Sequence, residues 1–496
     1  MTGVWRTLLG INGQFPGPLI EVNEGDTLVI DLHNQLTNST SLHWHGFRQK
    51  GTNFMDGTVG VTNCPIPPGS SFRYEFKVDD IRGTYWYHAH FSTTRLDGLF
   101  GPVVVHSPKE RIDLEYATDR VVMVQDYYHD LSSSLLPRYL SPSNNNAEPI
   151  PNGALINGKG VINCSRVATV YRCDSSRSLL EAFDLARDKA HRLRFINVGG
   201  FAEFDVELDE HEMALVEIDG VEVVPQSINR LRINVAQRYS AIIRANHLAG
   251  ESFWLRARML PHCFAEIPEM LETEVKAIVN YITPKSPLLP PIPDTKAWRD
   301  TPDLVCKDMN LTLVKPLHAI DAPKTADLLV FIRTNFETGE YMLSRGFMNE
   351  TSWRPAPNPT LLDAIQGLKA NNISFTNPQN TKLKGAYNTA RQLVFKLEEN
   401  KVVDLYISNF DDGNHPFHMH GHQFWVLDQG SGYIDMDHYA EINTTNPLRR
   451  DTVSVEAYGW ILVRFVADNP GMWAMHCKEP SFGPEVLQGI VAGADV

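Results

Sequence analysis

The sequence lacks the features that would mark a membrane-spanning or nucleic-acid-binding protein. No apolar run approaches the roughly 20 residues needed to cross a bilayer. Basic residues are not in excess either, since 45 Lys and Arg stand against 59 Asp and Glu and give a net charge of −14. This balance argues against nucleic acid or an anionic membrane as the main partner. The start, Met1-Thr2-Gly3-Val4-Trp5-Arg6, also has no basic segment followed by an apolar stretch, so no signal peptide is visible.

Potential glycosylation sites suggest secretion, although no signal peptide is visible. Six Asn-x-Ser/Thr acceptors lean towards a secreted glycoprotein, because such sites are used only along the secretory route. We therefore predict secretion from these acceptors and not from a leader segment. The acceptor residues are Asn38, Asn163, Asn310, Asn349, Asn372 and Asn443.

The chain has six cysteines, and one of them directly follows a histidine. If Cys477 binds a metal, five remain and one must be unpaired. Cys164 with Cys173 and Cys263 with Cys306 are candidate local bridges, which would leave Cys64 alone. The alternative is that all cysteines are reduced and buried.

Composition and patterning predict an all-β protein with several domains. Hydrophobic residues at 43% and charged residues at 21% describe a globular protein with a sizeable core. Short apolar or alternating runs recur between turn residues, and long amphipathic helices are scarce. Strands at this spacing are typical of antiparallel sandwiches or barrels. The clearest runs are 28–33, 72–78, 120–124, 231–235 and 239–243.

Two breaks divide the 496 residues into about three domains. Residues 108–113 are polar and charged, and residues 283–293 are rich in proline, as in an extended linker. Histidine pairs lie in the first and last domains but not in the middle one, which we predict to be a spacer. The predicted boundaries are 1–108, 109–283, a linker over 284–324, and 325–496.

Four histidine-rich motifs carry the chemistry. Alternate residues of a strand point to the same side about 7 Å apart, so His-x-His offers two ligands to one metal or to adjacent metals. One such pair is a weak signal, but three pairs and a His-Cys step indicate a metal centre. Imidazoles with one thiolate favour copper, with zinc as the alternative. The motifs are His43-Trp44-His45, His88-Ala89-His90, the run His415-Pro416-Phe417-His418-Met419-His420-Gly421-His422, and His476-Cys477.

These motifs and their surroundings resemble the multicopper oxidases of the fungal laccase type along nearly the whole chain. The resemblance implies three cupredoxin-like domains of Greek-key β-sandwich or barrel form and up to four copper ions. The further stretches that carry it are Gly10-Ile11-Asn12-Gly13-Gln14-Phe15-Pro16-Gly17-Pro18, Met55-Asp56-Gly57, Cys64-Pro65-Ile66-Pro67-Pro68-Gly69, Gly83-Thr84-Tyr85-Trp86-Tyr87 and Leu155-Ile156-Asn157-Gly158.

The resemblance also implies roles for single residues. Asp56 is similar to the family carboxylate that helps deliver protons to reduced oxygen, although it can also be read as a turn aspartate before Gly57. Cys477 and His476 would pass electrons from type 1 copper to the trinuclear cluster. The implied ligands are His43 and His418 for type 2 copper, His45, His88, His90, His420 and His476 for the type 3 pair, and His415 and Cys477 for type 1 copper.

The sequence departs from the family after Cys477. Lys478 stands where a type 3 histidine is expected, and Phe482 stands where the second type 1 histidine is expected. Eight of the ten histidine ligands implied by the resemblance thus remain, and we expect the C-terminal copper motif to be degenerate or truncated. Loss of direct ligands should weaken copper binding more than the roughly 10–100-fold typical of outer groups.

Two functions follow as expectations. The first is a laccase-like oxidase, expected to be a monomer, that oxidises phenolic or polyketide-derived aromatics by single electrons and reduces O2 to water, in pigment or secondary-metabolite formation. The second is a catalytically impaired or non-catalytic copper protein, because of Lys478 and Phe482. Iron oxidation is disfavoured, since Leu96 stands where the ferroxidases carry a glutamate. Glu203 is weighed as the phenol-binding carboxylate, with a structural role favoured, and His129 is predicted to be solvated.

Overall fold

The computed structural model describes residues 2–110, 115–144, 147–248, 250–283, 291–300, 304–311, 314–338, 342–355, 358–369, 392–477 and 488–492. Within these residues the chain forms thirty strands and three short α-helices, which confirms the all-β prediction. No helix of this described part is long and apolar enough to cross a membrane.

The N-terminal sheets carry the first two histidine motifs. A four-stranded sheet of order β2-β7-β6-β4 packs against the antiparallel ribbon β3-β5. Trp44 fills the core between them, 5.2 Å from Phe76 and 5.7 Å from Tyr74 between ring centroids. Because side chains alternate along a strand, His43 and His45 point away from this core. The strands are β1 (Thr2–Val4), β2 (Ile20–Asn23), β3 (Thr27–His33), β4 (His43–His45), β5 (Ser71–Lys77), β6 (Gly83–His88) and β7 (Phe100–His106).

The middle part is a sandwich of a six-stranded and a five-stranded sheet. Their orders are β15-β14-β17-β12-β8-β9 and β11-β19-β18-β13-β16, and β10 pairs with β1 of the N-terminal part. The elements are β8 (Thr118–Tyr127), α1 (Ser132–Leu140), β9 (Gly153–Ile156), β10 (Cys173–Ser178), β11 (Glu181–Ala186), β12 (Ala190–Asn197), β13 (Phe204–Leu208), β14 (Met213–Ile218), β15 (Val221–Ile228), β16 (Leu231–Ile233), β17 (Arg238–Arg244), β18 (Ser252–Met259) and β19 (Glu274–Ile282).

The C-terminal part carries the last two motifs on neighbouring strands. Its sheets have the orders β21-β20-β23-β28-β25-β26 and β22-β30-β29-β24-β27. The elements are β20 (Leu328–Thr338), β21 (Ser344–Met348), α2 (Thr360–Lys369), β22 (Val394–Leu397), β23 (Val402–Asn409), β24 (His415–Met419), β25 (Phe424–Ser431), α3 (Met436–Ala440), β26 (Arg449–Arg450), β27 (Thr452–Val455), β28 (Gly459–Val466), β29 (Gly471–Cys477) and β30 (Gln488–Ala492).

Each clear apolar run of the sequence coincides with a strand, namely β3, β5, β8, β16 and β17. Single-turn 3-10 helices cover Asn53–Met55, Thr94–Asp97, Pro142–Asn144, Cys164–Arg166 and Pro261–Cys263. Residues 284–290 of the predicted linker lie outside the described residues, and the domain boundaries stay a prediction.

Two disulfides join the cysteines that the sequence paired. Cys164 bonds to Cys173 and Cys263 to Cys306, so the alternative of fully reduced cysteines is wrong. Cys64 is free and exposed, whereas Cys477 is a buried thiol.

Candidate metal centre

Strand pairing brings distant histidines face to face. On β4 and β6, His43 lies directly opposite His88, and on β24 and β29, His418 lies opposite His476. Directly opposed residues of antiparallel strands have side chains about 5 Å apart, which suits shared ligation. The N-terminal and C-terminal sheets therefore each present a cross-strand histidine pair.

Seven histidines from these two sheets converge in one buried cluster, each at most 1% exposed. The Nε2 atom of His476 lies 3.0 Å from that of His420 and 3.3 Å from that of His90. In three triads the ligand nitrogens lie within 4.8 Å of one another. The triads are His43 with His418 and His420, His43 with His45 and His88, and His90 with His420 and His476.

This donor set fits copper. Burial, and then the neighbouring His43, hold the pKa of His420 well below its usual value, although Asp56 acts in the opposite direction. The imidazole is therefore neutral, which is the form that binds a metal ion. Several buried imidazoles in one pocket match the preference of copper for nitrogen ligands.

Asp56 borders this cluster from the loop after β4. Its Oδ2 lies 2.9 Å from His420 Nδ1, its Oδ1 lies 3.2 Å from His43 Nδ1, and Thr58 Oγ1 donates a hydrogen bond to Oδ2 at 2.6 Å. Burial alone would raise the pKa of Asp56, but its electrostatic contacts and hydrogen bonds with His420 and His43 hold it well below its usual range. Gly57 has φ of 83°, and a Cβ there would meet the Leu42 carbonyl, so glycine lets the loop aim Asp56 inward.

His415 and Cys477 form a second, separate site. The Cys477 Sγ lies 3.8 Å from His415 Nδ1, and both residues are buried. Asp411 orients the imidazole, since its Oδ2 lies 2.9 Å from His415 Nε2 and leaves Nδ1 towards the sulfur. A thiol beside an imidazole suits copper. The predicted departures Lys478 and Phe482 lie outside the described residues.

The two sites are linked through adjacent residues. His476 Nδ1 lies 2.8 Å from the backbone oxygen of Cys477, so the ring that joins the cluster also contacts the residue that faces His415. The backbone thus provides a short covalent and hydrogen-bonded connection between the two sites.

A cavity of about 300 Å³ opens beside His415. Its lining includes the carboxylates Glu148, Glu203, Asp411 and Asp412. Glu203 is buried and accepts a hydrogen bond from the Asn414 side chain. The cavity beside the imidazole therefore has an acidic lining.

Two further histidines named in the sequence analysis lie outside both sites. His422 packs against Phe465, and burial lowers its pKa to about 4. His129 is also buried, which lowers its pKa to about 4, so the prediction of a solvated side chain is wrong. It packs 5.0 Å from the Tyr171 ring, a contact that local sequence could not reveal.

Sequence reasoning missed a second carboxylate at the cluster. Asp451 Oδ1 lies 3.3 Å from His45 Nε2 and 3.5 Å from His418 Nδ1. Its neighbour Thr452 places Oγ1 3.1 Å from both of those nitrogens. The sequence offered one indication of this carboxylate, the charged stretch Arg449-Arg450-Asp451-Thr452 between apolar segments. Charged residues are unusual where a strand enters a core.

Comparison with known proteins decides the family. Models described as multicopper oxidase match residues 1–110, 118–284 and 353–479. The chain belongs to the multicopper oxidase family. It is thus an oxidoreductase with copper as its cofactor and with cupredoxin-like domains.

Individual relatives include both laccases and iron oxidases. Laccase-1 of Cryptococcus neoformans is 34% identical, over 96% of this chain and 75% of that protein. The iron transport multicopper oxidase fetC of Epichloe festucae is also 34% identical, over 98% of this chain and 72% of that protein. The crystal structure of the Botrytis aclada laccase superposes with a TM-score of 0.83 at 29% identity, covering 99% of this chain and 85% of that one.

Proposed function

We propose that the protein is a laccase-like oxidase that takes single electrons from phenolic or polyketide-derived aromatic molecules and reduces O2 to water. The observation that carries this proposal is the connection from His415 through Cys477 to His476, which joins a one-thiolate site to the histidine cluster. Its use in pigment or secondary-metabolite formation is proposed by analogy alone.

In this proposal the two sites hold copper, which when bound supplies the one-electron redox chemistry that side chains lack. The protein orients the imidazoles and excludes water, since every cluster histidine is at most 1% exposed. Asp56 contacts two of them and, in this proposal, passes protons to reduced oxygen. The proposed cluster ligands are His43, His45, His88, His90, His418, His420 and His476, with His415 and Cys477 at the second site.

The reducing substrate is proposed to bind in the cavity beside His415. A phenol there could donate its hydroxyl proton to Glu203 or Asp411 as it loses an electron. The ring of Phe264, stacked 5.1 Å from Phe201 at the cavity lining, offers an apolar contact for an aromatic molecule.

A second candidate is oxidation of Fe(II). The acidic lining of the same cavity favours it, because hard cations prefer carboxylate oxygens. One relative is an iron transport multicopper oxidase. Leu96 in place of the family glutamate argued against iron, but four carboxylates reach this cavity from other parts of the chain.

A third candidate is an impaired or non-catalytic copper protein. Lys478 and Phe482 stand where two histidine ligands are expected. In that case the cluster would bind copper while electron entry through His415 and Cys477 would fail.

Oxygen consumption by the copper-loaded protein separates these candidates. Rates are measured with 2,6-dimethoxyphenol and, separately, with Fe(II), in the wild type and in the paired variant Glu148→Gln with Asp412→Asn, which leaves the contact of Asp411 with His415 intact. The laccase-like proposal expects turnover of the phenol. Turnover of Fe(II) alone, lost in the paired variant, would favour iron oxidation. Copper at the cluster without turnover of either donor would establish the impaired protein. Asp31→Asn, an exposed carboxylate paired with Arg73, is the matched control.

A further inference from the structure

Two carboxylates divide four histidines of the cluster between them. Asp56 contacts His43 and His420, whereas Asp451 contacts His45 and His418. The rings of this second pair are stacked, with centroids 3.8 Å apart and planes 20° apart. Any movement of Asp451 would therefore disturb two stacked imidazoles at once.

The two carboxylates are held in different ways. Asp56 is held by Thr58 and by the histidines themselves. Asp451 instead receives a bidentate ion pair from Arg238, whose Nη1 and Nη2 each lie 2.6 Å from one of its oxygens. A planar guanidinium bound in this way fixes both the position and the plane of a carboxylate.

Arg238 belongs to β17 in the middle part of the chain and is fully buried. Its Nε donates to the backbone oxygen of Thr84 at 3.1 Å, so it also contacts β6 of the N-terminal sheet. Its own backbone N–H donates to Asp219 at 2.8 Å, and Asp219 accepts a hydrogen bond from Arg450 at 2.8 Å. One side chain thus connects all three parts of the chain next to the histidines.

We propose that Arg238 is a positioning residue for the metal centre, which fixes Asp451 and through it the imidazoles of His45 and His418. The middle part of the chain is then more than a spacer, because it sets the geometry of a centre to which it gives no ligand. This inference rests on the proposed ligand roles of those two histidines.

The test replaces Arg238 without removing its charge. Lysine keeps the positive charge but cannot bind both carboxylate oxygens in one plane. We expect Arg238→Lys to fold but to lower copper affinity about 10–100-fold, as is typical when a group that orients metal ligands is lost. Electron paramagnetic resonance should show an altered type 2 copper signal, and the KM for O2 should change more than the KM for the phenol.

Arg192→Lys is the matched control. Arg192 is an equally buried arginine of the middle part, paired with Glu217 and Glu110. Arg192→Lys should lower the thermal stability to a degree similar to Arg238→Lys, while the copper affinity and the resonance signal stay unchanged.

Asp451→Asn covers the case in which Arg238→Lys does not fold, because it keeps the shape of the side chain and removes only its charge. Unchanged copper affinity and resonance signal in a folded variant at either position would overturn the inference. A wild type that binds no copper at the cluster would instead overturn the proposed function and the inference together.

Discussion

The two candidate copper sites differ in how the chain assembles them. The histidine cluster takes its side chains from β4, β6, β24 and β29 and their ends, so it exists only when the N-terminal and C-terminal sheets are docked. The pair of His415 and Cys477 lies on neighbouring strands of one sheet. The cluster is thus a product of tertiary docking, whereas the pair depends on one sheet and on the residues after Cys477. The difference implies that each site can be disrupted without the other.

The largest expected effect comes from removing the thiol of the pair. Cys477→Ser should lower turnover more than about 100-fold, since loss of a direct ligand exceeds the loss of an outer group. Copper at the cluster should remain, because the sulfur lies against His415, which is not one of the seven cluster histidines. Copper content and visible absorption measure both effects. Cys64→Ser, which changes the exposed free thiol, should match the wild type. Loss of cluster copper in Cys477→Ser would show that the two sites are not separable.

The residues after Cys477 differ from the family pattern, and they allow the opposite experiment, in which ligands are added instead of removed. Under the impaired-protein candidate, in which Phe482 leaves the pair short of a ligand, the wild type should lack intense blue-copper absorption, and Lys478→His with Phe482→His should create it. A strong blue absorption in the wild type would contradict this expectation.

Substitution of Asp56 tests the histidine cluster without changing the pair of His415 and Cys477. Asp56→Asn keeps the size of the side chain but cannot accept and release protons, so turnover should fall by about 10²-fold or more. Absorption from the pair should not change. Reduction of the pair by substrate, monitored by stopped-flow spectroscopy under anaerobic conditions, should proceed at the wild-type rate. A slower anaerobic reduction would mean that Asp56 acts on electron entry instead of on oxygen.

The sequence predicted the histidines of the cluster better than it predicted the residues that hold those histidines in position. His-x-His at strand ends is a local pattern, so periodicity and resemblance pointed to His43, His45, His88 and His90. Asp451 and Arg238 contribute through contacts 213 residues apart, which no local pattern encodes. His129 was misjudged for the same reason, since its burial depends on the distant Tyr171.

The contact between the N-terminal and middle parts should depend on pH through Glu217. This buried carboxylate of the middle part accepts hydrogen bonds from Thr84 of the N-terminal sheet at 2.6 and 2.9 Å. Burial would raise its pKa, but Arg192 and Arg194 lower it to about 2. Because the folded pKa lies below the unfolded one, ionised Glu217 stabilises the protein above about pH 4.5, by on the order of 3 kcal/mol. That stability is lost as the pH falls towards 2.

Urea unfolding of the wild type and Glu217→Gln checks this prediction. The variant should be less stable at neutral pH. The difference in unfolding free energy between the two proteins should decrease as the pH falls from about 4.5 towards 2. Asp31→Asn, at the exposed pair with Arg73, should change stability little at any pH. A difference in unfolding free energy that stays constant over this pH range would contradict stabilisation by the ionised form of Glu217.

The smallest expected effect concerns the two disulfides. Cys263–Cys306 closes a sequence separation of 43 residues and borders the cavity beside His415, whereas Cys164–Cys173 closes only 9. Because loop-closure entropy grows with loop length, replacing the longer bridge by serines should cost about 1 kcal/mol more of unfolding free energy than replacing the shorter. Loss of the longer bridge should also raise the KM for the reducing substrate, while the KM for O2 stays unchanged. Equal effects of both replacements on both KM values would mean that the cavity wall does not depend on its disulfide.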